Sequence, residues 1–97
     1  MIRATFSRVR DGLQLEMRDH ATGSEAVCAG ASAIVYALAG YLKNQAPDNL
    51  ALNLRAGDAW VQCRRCRETE TAFEVARVGL LQLAKSYPQY IQVEVIE

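Results

Sequence analysis

One histidine and three cysteines are the residues of this chain with the strongest claim to covalent chemistry. His20 and Cys28 stand eight positions apart, separated by Ala-Thr-Gly-Ser-Glu-Ala-Val. A cysteine in the first turn of a helix feels the positive end of the helix dipole, which lowers a thiol pKa from about 8.5 and populates the nucleophilic thiolate. An imidazole within reach is the base that takes the thiol proton. Unpaired N–H groups of the same first turn are donors for an oxyanion. The plainer alternative makes Cys28 a small buried hydrophobe and His20 a solvated loop residue, and it is the commoner fate of an arbitrary Cys and His. Glu25 is open between two roles. It orients the imidazole or merely favours the helix start, and its charge opposes thiolate formation if it points at Cys28.

The other thiols form Cys63-Arg64-Arg65-Cys66. A C-x-x-C pair chelates metal or cycles as a dithiol, and flanking arginines favour thiolates. By itself it is half a metal site. Joining it to Cys28 and His20 would give a Cys3His set, but no second C-x-x-C supports this, and a thioredoxin-like motif would open a helix after the first strand of a βαβ unit. No metal or cofactor is expected. Arg64, Arg65 and Arg67 form a local basic cluster of the kind that is usually a solvated edge.

These residues need a frame, and 97 residues with 51% hydrophobic content suffice for one domain, spanning 1–97, with its own core. Eleven basic residues balance eleven acidic ones, so no general field draws the chain to nucleic acid or an anionic membrane. The start, Met-Ile-Arg-Ala-Thr-Phe-Ser-Arg, has no signal-peptide pattern, which predicts a cytoplasmic protein with reduced thiols. The apolar stretch Ala26 to Leu42, broken by Cys28, Gly30, Ser32 and Gly40, reads as a core helix rather than a membrane span.

Ile2 to Val9 alternates as a half-buried strand, and Asp11-Gly12 suggests a type I′ turn into a second strand carrying Leu13, Leu15 and Met17. His20 then lies just past that strand. Ser24 is a suitable N-cap for a helix starting at Glu25, with Val27, Ala31, Ile34, Val35, Leu38 and Leu42 as its buried stripe and an end between Asn44 and Asn49. Leu50 to Arg55, a turn at Ala56-Gly57-Asp58, and Ala59 to Cys63 form a second hairpin. Arg64 to Glu70 reads as irregular. Thr71 and Glu74 have capping-box spacing, followed by a helical stripe of Phe73, Ala76, Leu80, Leu83 and Tyr87 that Pro88 ends. Ile91, Val93 and Val95 make a last strand. Trp60 and the four tyrosines read as core and rim. The order ββαββαβ predicts an α+β two-layer sandwich, with a mostly antiparallel sheet and both helices on one face.

With these elements placed, the chain resembles the ribosomal-processing cysteine proteases. The likeness is carried by His20-Ala21, by Glu25-Ala26-Val27-Cys28-Ala29-Gly30-Ala31-Ser32, and by Ser86-Tyr87-Pro88-Gln89-Tyr90 near the end. It covers essentially the whole chain. The resemblance implies a homodimeric endopeptidase that removes the N-terminal extension of a large-subunit ribosomal protein precursor. Carried over by position, Cys28 is the nucleophile, His20 the base, and Ser32, a helical turn beyond Cys28, helps shape the site. The chain departs from the family pattern in Asp19 where glycine is usual, in Glu25 where aspartate is usual, and in a shorter loop between His20 and Cys28. That loop is implied to gate or receive substrate. The alternatives are a non-catalytic ribosomal-protein-binding module of the same fold, and a metal or redox protein using Cys63 and Cys66.

Overall fold

The computed structural model describes residues 1–96. Its elements are β1 (Ile2–Val9), β2 (Gly12–Arg18), α1 (Glu25–Gln45), β3 (Ala51–Arg55), β4 (Asp58–Arg64), α2 (Arg67–Ser86) and β5 (Ile91–Ile96). The five strands form one sheet in the order β3-β4-β2-β1-β5. Every neighbouring pair is antiparallel except β1 and β5, which run parallel from Ile2↔Ile91 to Ser7↔Ile96. The expected α+β two-layer architecture is therefore present, as a mixed sheet.

Alternation decides which face is covered. Ile2, Ala4 and Phe6 of β1, Leu13 and Leu15 of β2, Ala59, Val61 and Cys63 of β4, and Ile91 of β5 are buried, while Arg3, Arg8, Gln62 and Gln92 between them are exposed. The buried set meets Val27, Ala31, Val35, Leu38, Ala39 and Leu42 of α1 and Phe73, Ala76 and Leu80 of α2 in one core. Burying a Val, Leu, Ile or Phe side chain contributes about 1.5–3 kcal/mol, so this face fixes the register. α1 is long and apolar enough to cross a membrane. Its buried stripe instead packs in the shared core. The helices approach closely at Gly79, where an added Cβ would stand 3.2 Å from Ile34.

Four details differ from the sequence reading. The first hairpin pairs Val9 with Gly12, so Arg10-Asp11 is its two-residue loop and Arg10 takes the positive φ of 57°. The alternation tolerated either placement, and the ladder chose the one continuing the β1–β2 register. Helix α2 begins at Arg67, not beyond Thr71, because Thr69 rather than Glu74 closes its start. The Cys66 N–H donates to Thr69 Oγ1 at 2.8 Å, and that hydroxyl faces the Arg64 carbonyl oxygen at 3.0 Å. Thr69 is 1% exposed, so the hydroxyl replaces water for a chain turning from strand to helix. β4 correspondingly runs to Arg64, and the stretch read as irregular is mostly helical. Finally, Tyr87 is exposed: it is the C-cap residue, past the stripe it was expected to extend.

Candidate active site

His20 and Cys28 come from different elements, and the sheet order explains why they meet. β2 is the central strand, so His20, two residues beyond it, emerges from the middle of one end of the sheet. The β3–β4 turn lies at the same end, because β2 pairs with β4 from Gly12↔Arg64 to Arg18↔Asp58. The Asp19 N–H donates to the Gly57 carbonyl oxygen at 3.0 Å, which ties the end of β2 to that turn. Asp19 has φ 69°, a left-handed conformation that glycine adopts freely and aspartate tolerates better than most residues. The position where the chain departs from Gly is thus one whose backbone favours glycine.

From His20 the chain turns at once into α1. The Ser24 N–H donates to the Ala21 carbonyl oxygen at 2.9 Å, and Ser24 is the N-cap, its Oγ accepting the Val27 N–H at 3.3 Å. The cap and helix start match the sequence expectation. Cys28 is the first residue whose own N–H enters the helix ladder, donating to the Ser24 carbonyl oxygen at 3.3 Å. The amides of Val27 and Cys28 are therefore already used, leaving Glu25 and Ala26 at the open end of the helix as first-turn donors.

The Cys28 sulfur is half-buried and held by one residue's backbone. The Ala21 N–H donates to Sγ at 3.2 Å, and the Ala21 carbonyl oxygen lies 3.9 Å from it. The sulfur thus faces one donor and one weak acceptor of the same residue. Ala21 is buried, so this contact is shielded from bulk water. Composition gave no signal for it, since Ala21 acts entirely through its backbone. Among the described residues, the sulfur's hydrogen bonds run to Ala21 and not to the imidazole.

A cleft of about 240 Å³ joins the two candidate residues. His20, Cys28 and Ser32 line it together with apolar Ile2, Met17 and Val35. Its far side comes from Leu54 to Ala59, including Arg55 and Asp58. Asp58 lies 3.4 Å from Arg18, and both side chains are about half exposed, so the pair sets charge at the rim more than it adds stability. Ser32 stands where its spacing from Cys28 places it. Glu25 is exposed and lies outside the cleft-lining set, in the first turn of α1, where its carboxylate complements the helix dipole. The contribution of the β3–β4 hairpin was hidden from the sequence reading, which took Ala56-Gly57-Asp58 only as a turn.

The C-x-x-C pair stands elsewhere. Cys63 is buried on the core face of β4, and burial pushes its thiol pKa up, against a lowering hydrogen bond with Thr69 and with a further upward push from Cys66. Cys66 is exposed, caps α2, and lines a separate hollow with Ala46, Pro47, Asp48, Arg64 and Arg65. Among the described residues, no group of three or more His, Cys, Asp or Glu is placed to hold a metal ion. Two of the three arginines of the basic cluster pair within the molecule, Arg64 with Asp48 at 3.3 Å and Arg65 with Glu70 at 3.6 Å.

Comparison with known proteins follows the same fold. The family model described as cysteine protease Prp matches residues 1–92. The essential ribosomal processing protease Prp from S. aureus, solved with a covalently linked product peptide, is 20% identical, with a TM-score of 0.82 over 98% of this chain and 99% of that one. The same protease solved with a substrate peptide is 18% identical, with a TM-score of 0.75 over 98% and 99%. SMU.848 from Streptococcus mutans is 24% identical, with a TM-score of 0.74 over 99% and 94%. No curated protein matches the chain.

Proposed function

The chain belongs to the cysteine protease Prp family, and from that premise we propose that it removes the N-terminal extension of a large-subunit ribosomal protein precursor through a Cys28–His20 dyad. The observation that carries this reading is the single cleft lined by His20, Cys28 and Ser32, with a backbone N–H already directed at the sulfur. His20 takes the Cys28 proton, and the sulfur attacks the scissile carbonyl carbon, forming the C–S bond and an oxyanion. When that intermediate collapses, the peptide C–N bond breaks and the imidazolium returns the proton to the departing amine. Water, losing a proton to His20, then attacks the thioester, releasing the extension with a free carboxylate and restoring the thiol. Imidazole and sulfur are drawn together as the peptide fills the cleft, since catalytic hydrogen bonds often tighten only with substrate in place.

In this reading the protein works in the cytoplasm, as a homodimer, on a ribosomal-protein peptide. Val75, Val78 and Leu81 of α2, with Tyr41 of α1, are exposed apolar residues available to a second copy. Incubating the protein with an N-terminally extended precursor and sequencing the products tests the reaction: one cut, leaving a shortened ribosomal protein, is expected. The second reading, a non-catalytic binding module, takes support from the sulfur's engagement with Ala21 rather than with His20. Saturable binding of the precursor without any cut would favour it.

A further inference from the structure

A side chain on Gly57 would meet a neighbour more closely than one on Gly23, Gly30, Gly40 or Gly79. A Cβ built on Gly57 would lie 2.6 Å from His20 Nε2, 3.1 Å from Cε1 and 3.3 Å from Cδ2. The two carbons that flank Nε2 are little farther from that Cβ than Nε2 itself, so the added atom would press on the face of the ring beside Nε2. Two further observations bear on the same contact. Gly57 has φ 74°, and its carbonyl oxygen accepts the N–H of Asp19, the residue before His20. Both backbone and side chain at the end of β2 therefore rest on the β3–β4 turn.

We infer that Gly57 is a positioning residue for the proposed base: the β3–β4 turn is a seat that holds the His20 imidazole at the mouth of the cleft, and it works only without a side chain. The inference rests on the Cys28–His20 reading. His20 is exposed, and among the described residues no hydrogen bond from another group fixes its ring. Its orientation therefore depends on packing, and the bare Gly57 turn is a surface it packs beside, since a Cβ there would meet the ring. A Cβ at 2.6 Å cannot coexist with the ring where it lies, and because Nε2 is the far end of an exposed side chain the ring swings off the turn while the backbone stays. A base displaced by about 1 Å loses on the order of 100-fold in rate, while peptide contacts elsewhere in the cleft are kept. The loss therefore falls on kcat more than on KM.

The test uses Gly57→Ala and Gly57→Asn, alone and combined with His20→Ala. Asparagine tolerates positive φ better than alanine but carries the same Cβ, so it separates backbone strain from the clash. Precursor cleavage by each folded single variant should show kcat reduced by about 100-fold with KM within about threefold. The NMR resonances of the His20 ring protons should move from their wild-type positions, because the ring leaves the turn. Thermal unfolding completes the cycle: each Gly57 substitution should lower Tm less when His20 is already alanine, because the clash is gone and only strain remains. Folded Gly57 variants with wild-type kcat and unmoved His20 ring resonances would overturn the inference. So would Tm losses that add without coupling, which also decides the matter if the single variants fold too poorly to assay. If His20→Ala alone leaves cleavage unchanged, the dyad reading fails, while the Tm cycle still reports whether Gly57 seats the ring.

Discussion

Cys28 owes its setting to residues whose identities say little about chemistry. Ser24 caps the helix that carries it, and the Ala21 N–H points at its sulfur from 3.2 Å. The thiol and the imidazole were legible as a pair from type and spacing, because a strand end followed by a capped helix places them at one end of the sheet, whereas Ser32 came only from the family resemblance. The Ala21 contact was not legible, since any residue offers the same N–H. Cys63 supplies the contrast within the chain. Burial raises its pKa, so its thiol remains protonated in the folded state at pH values where an unfolded cysteine, with a pKa of about 8.5, begins to ionise. A folded pKa above the unfolded one contributes stability that is complete below the unfolded value and is lost as pH rises through the folded value. Urea unfolding between pH 7 and pH 10 should therefore show stability falling on the alkaline side. The slope should be shallower for Cys63→Ala even though that variant is less stable overall; equal slopes would count against the buried thiol as their source.

The N-cap signal placed α1 correctly, whereas the Asp11-Gly12 turn and the Thr71–Glu74 capping-box spacing each set a boundary that the structure moves. α1 starts at Ser24, a preferred N-cap, and both expected hairpins are present. α2 starts at Cys66, which is not a preferred cap, and its closing hydroxyl belongs to Thr69. Replacing that hydroxyl leaves the Cys66 N–H and the Arg64 carbonyl oxygen without this partner, so Thr69→Val should cost about 0.5–1.5 kcal/mol for each bond lost. Thr69→Ser should cost less, because it keeps the hydroxyl. Denaturant unfolding of the two variants measures the difference. The far end of α1 predicts the opposite sign. Ala46 ends that helix at φ 47°, donating its N–H to the Leu42 carbonyl oxygen at 2.8 Å, in a conformation that costs a non-glycine residue roughly 1–2 kcal/mol. Ala46→Gly should raise stability by somewhat less than about 1 kcal/mol, because glycine also gains freedom in the unfolded chain.

At the scale of the molecule, the parallel β1–β5 pair places α2 beside α1 and brings the last strand to the sheet edge. Local alternation could not specify that pairing, since it shows which face of a strand is buried and not which neighbour it takes. The cleft is a product of the same topology: its walls come from β2, α1 and the β3–β4 hairpin, and only the first two were joined by reading along the chain. The whole outer surface also bears on assembly. Sedimentation at micromolar concentration should give twice the mass of one chain, and Val75→Glu should shift it to the monomer if the apolar helix face is the contact. The central claim is that one thiol of three, served by the one imidazole, breaks the peptide bond. Its most direct measurement is the rate of precursor cleavage by Cys28→Ser, by His20→Ala, and by a Cys63→Ser, Cys66→Ser double variant, each shown to be folded. The account predicts no detectable cut with Cys28→Ser, a rate reduced by about 100-fold or more with His20→Ala, and a rate near wild type with the double variant. Undiminished cleavage by folded Cys28→Ser, or its loss only when Cys63 and Cys66 are replaced, would contradict it.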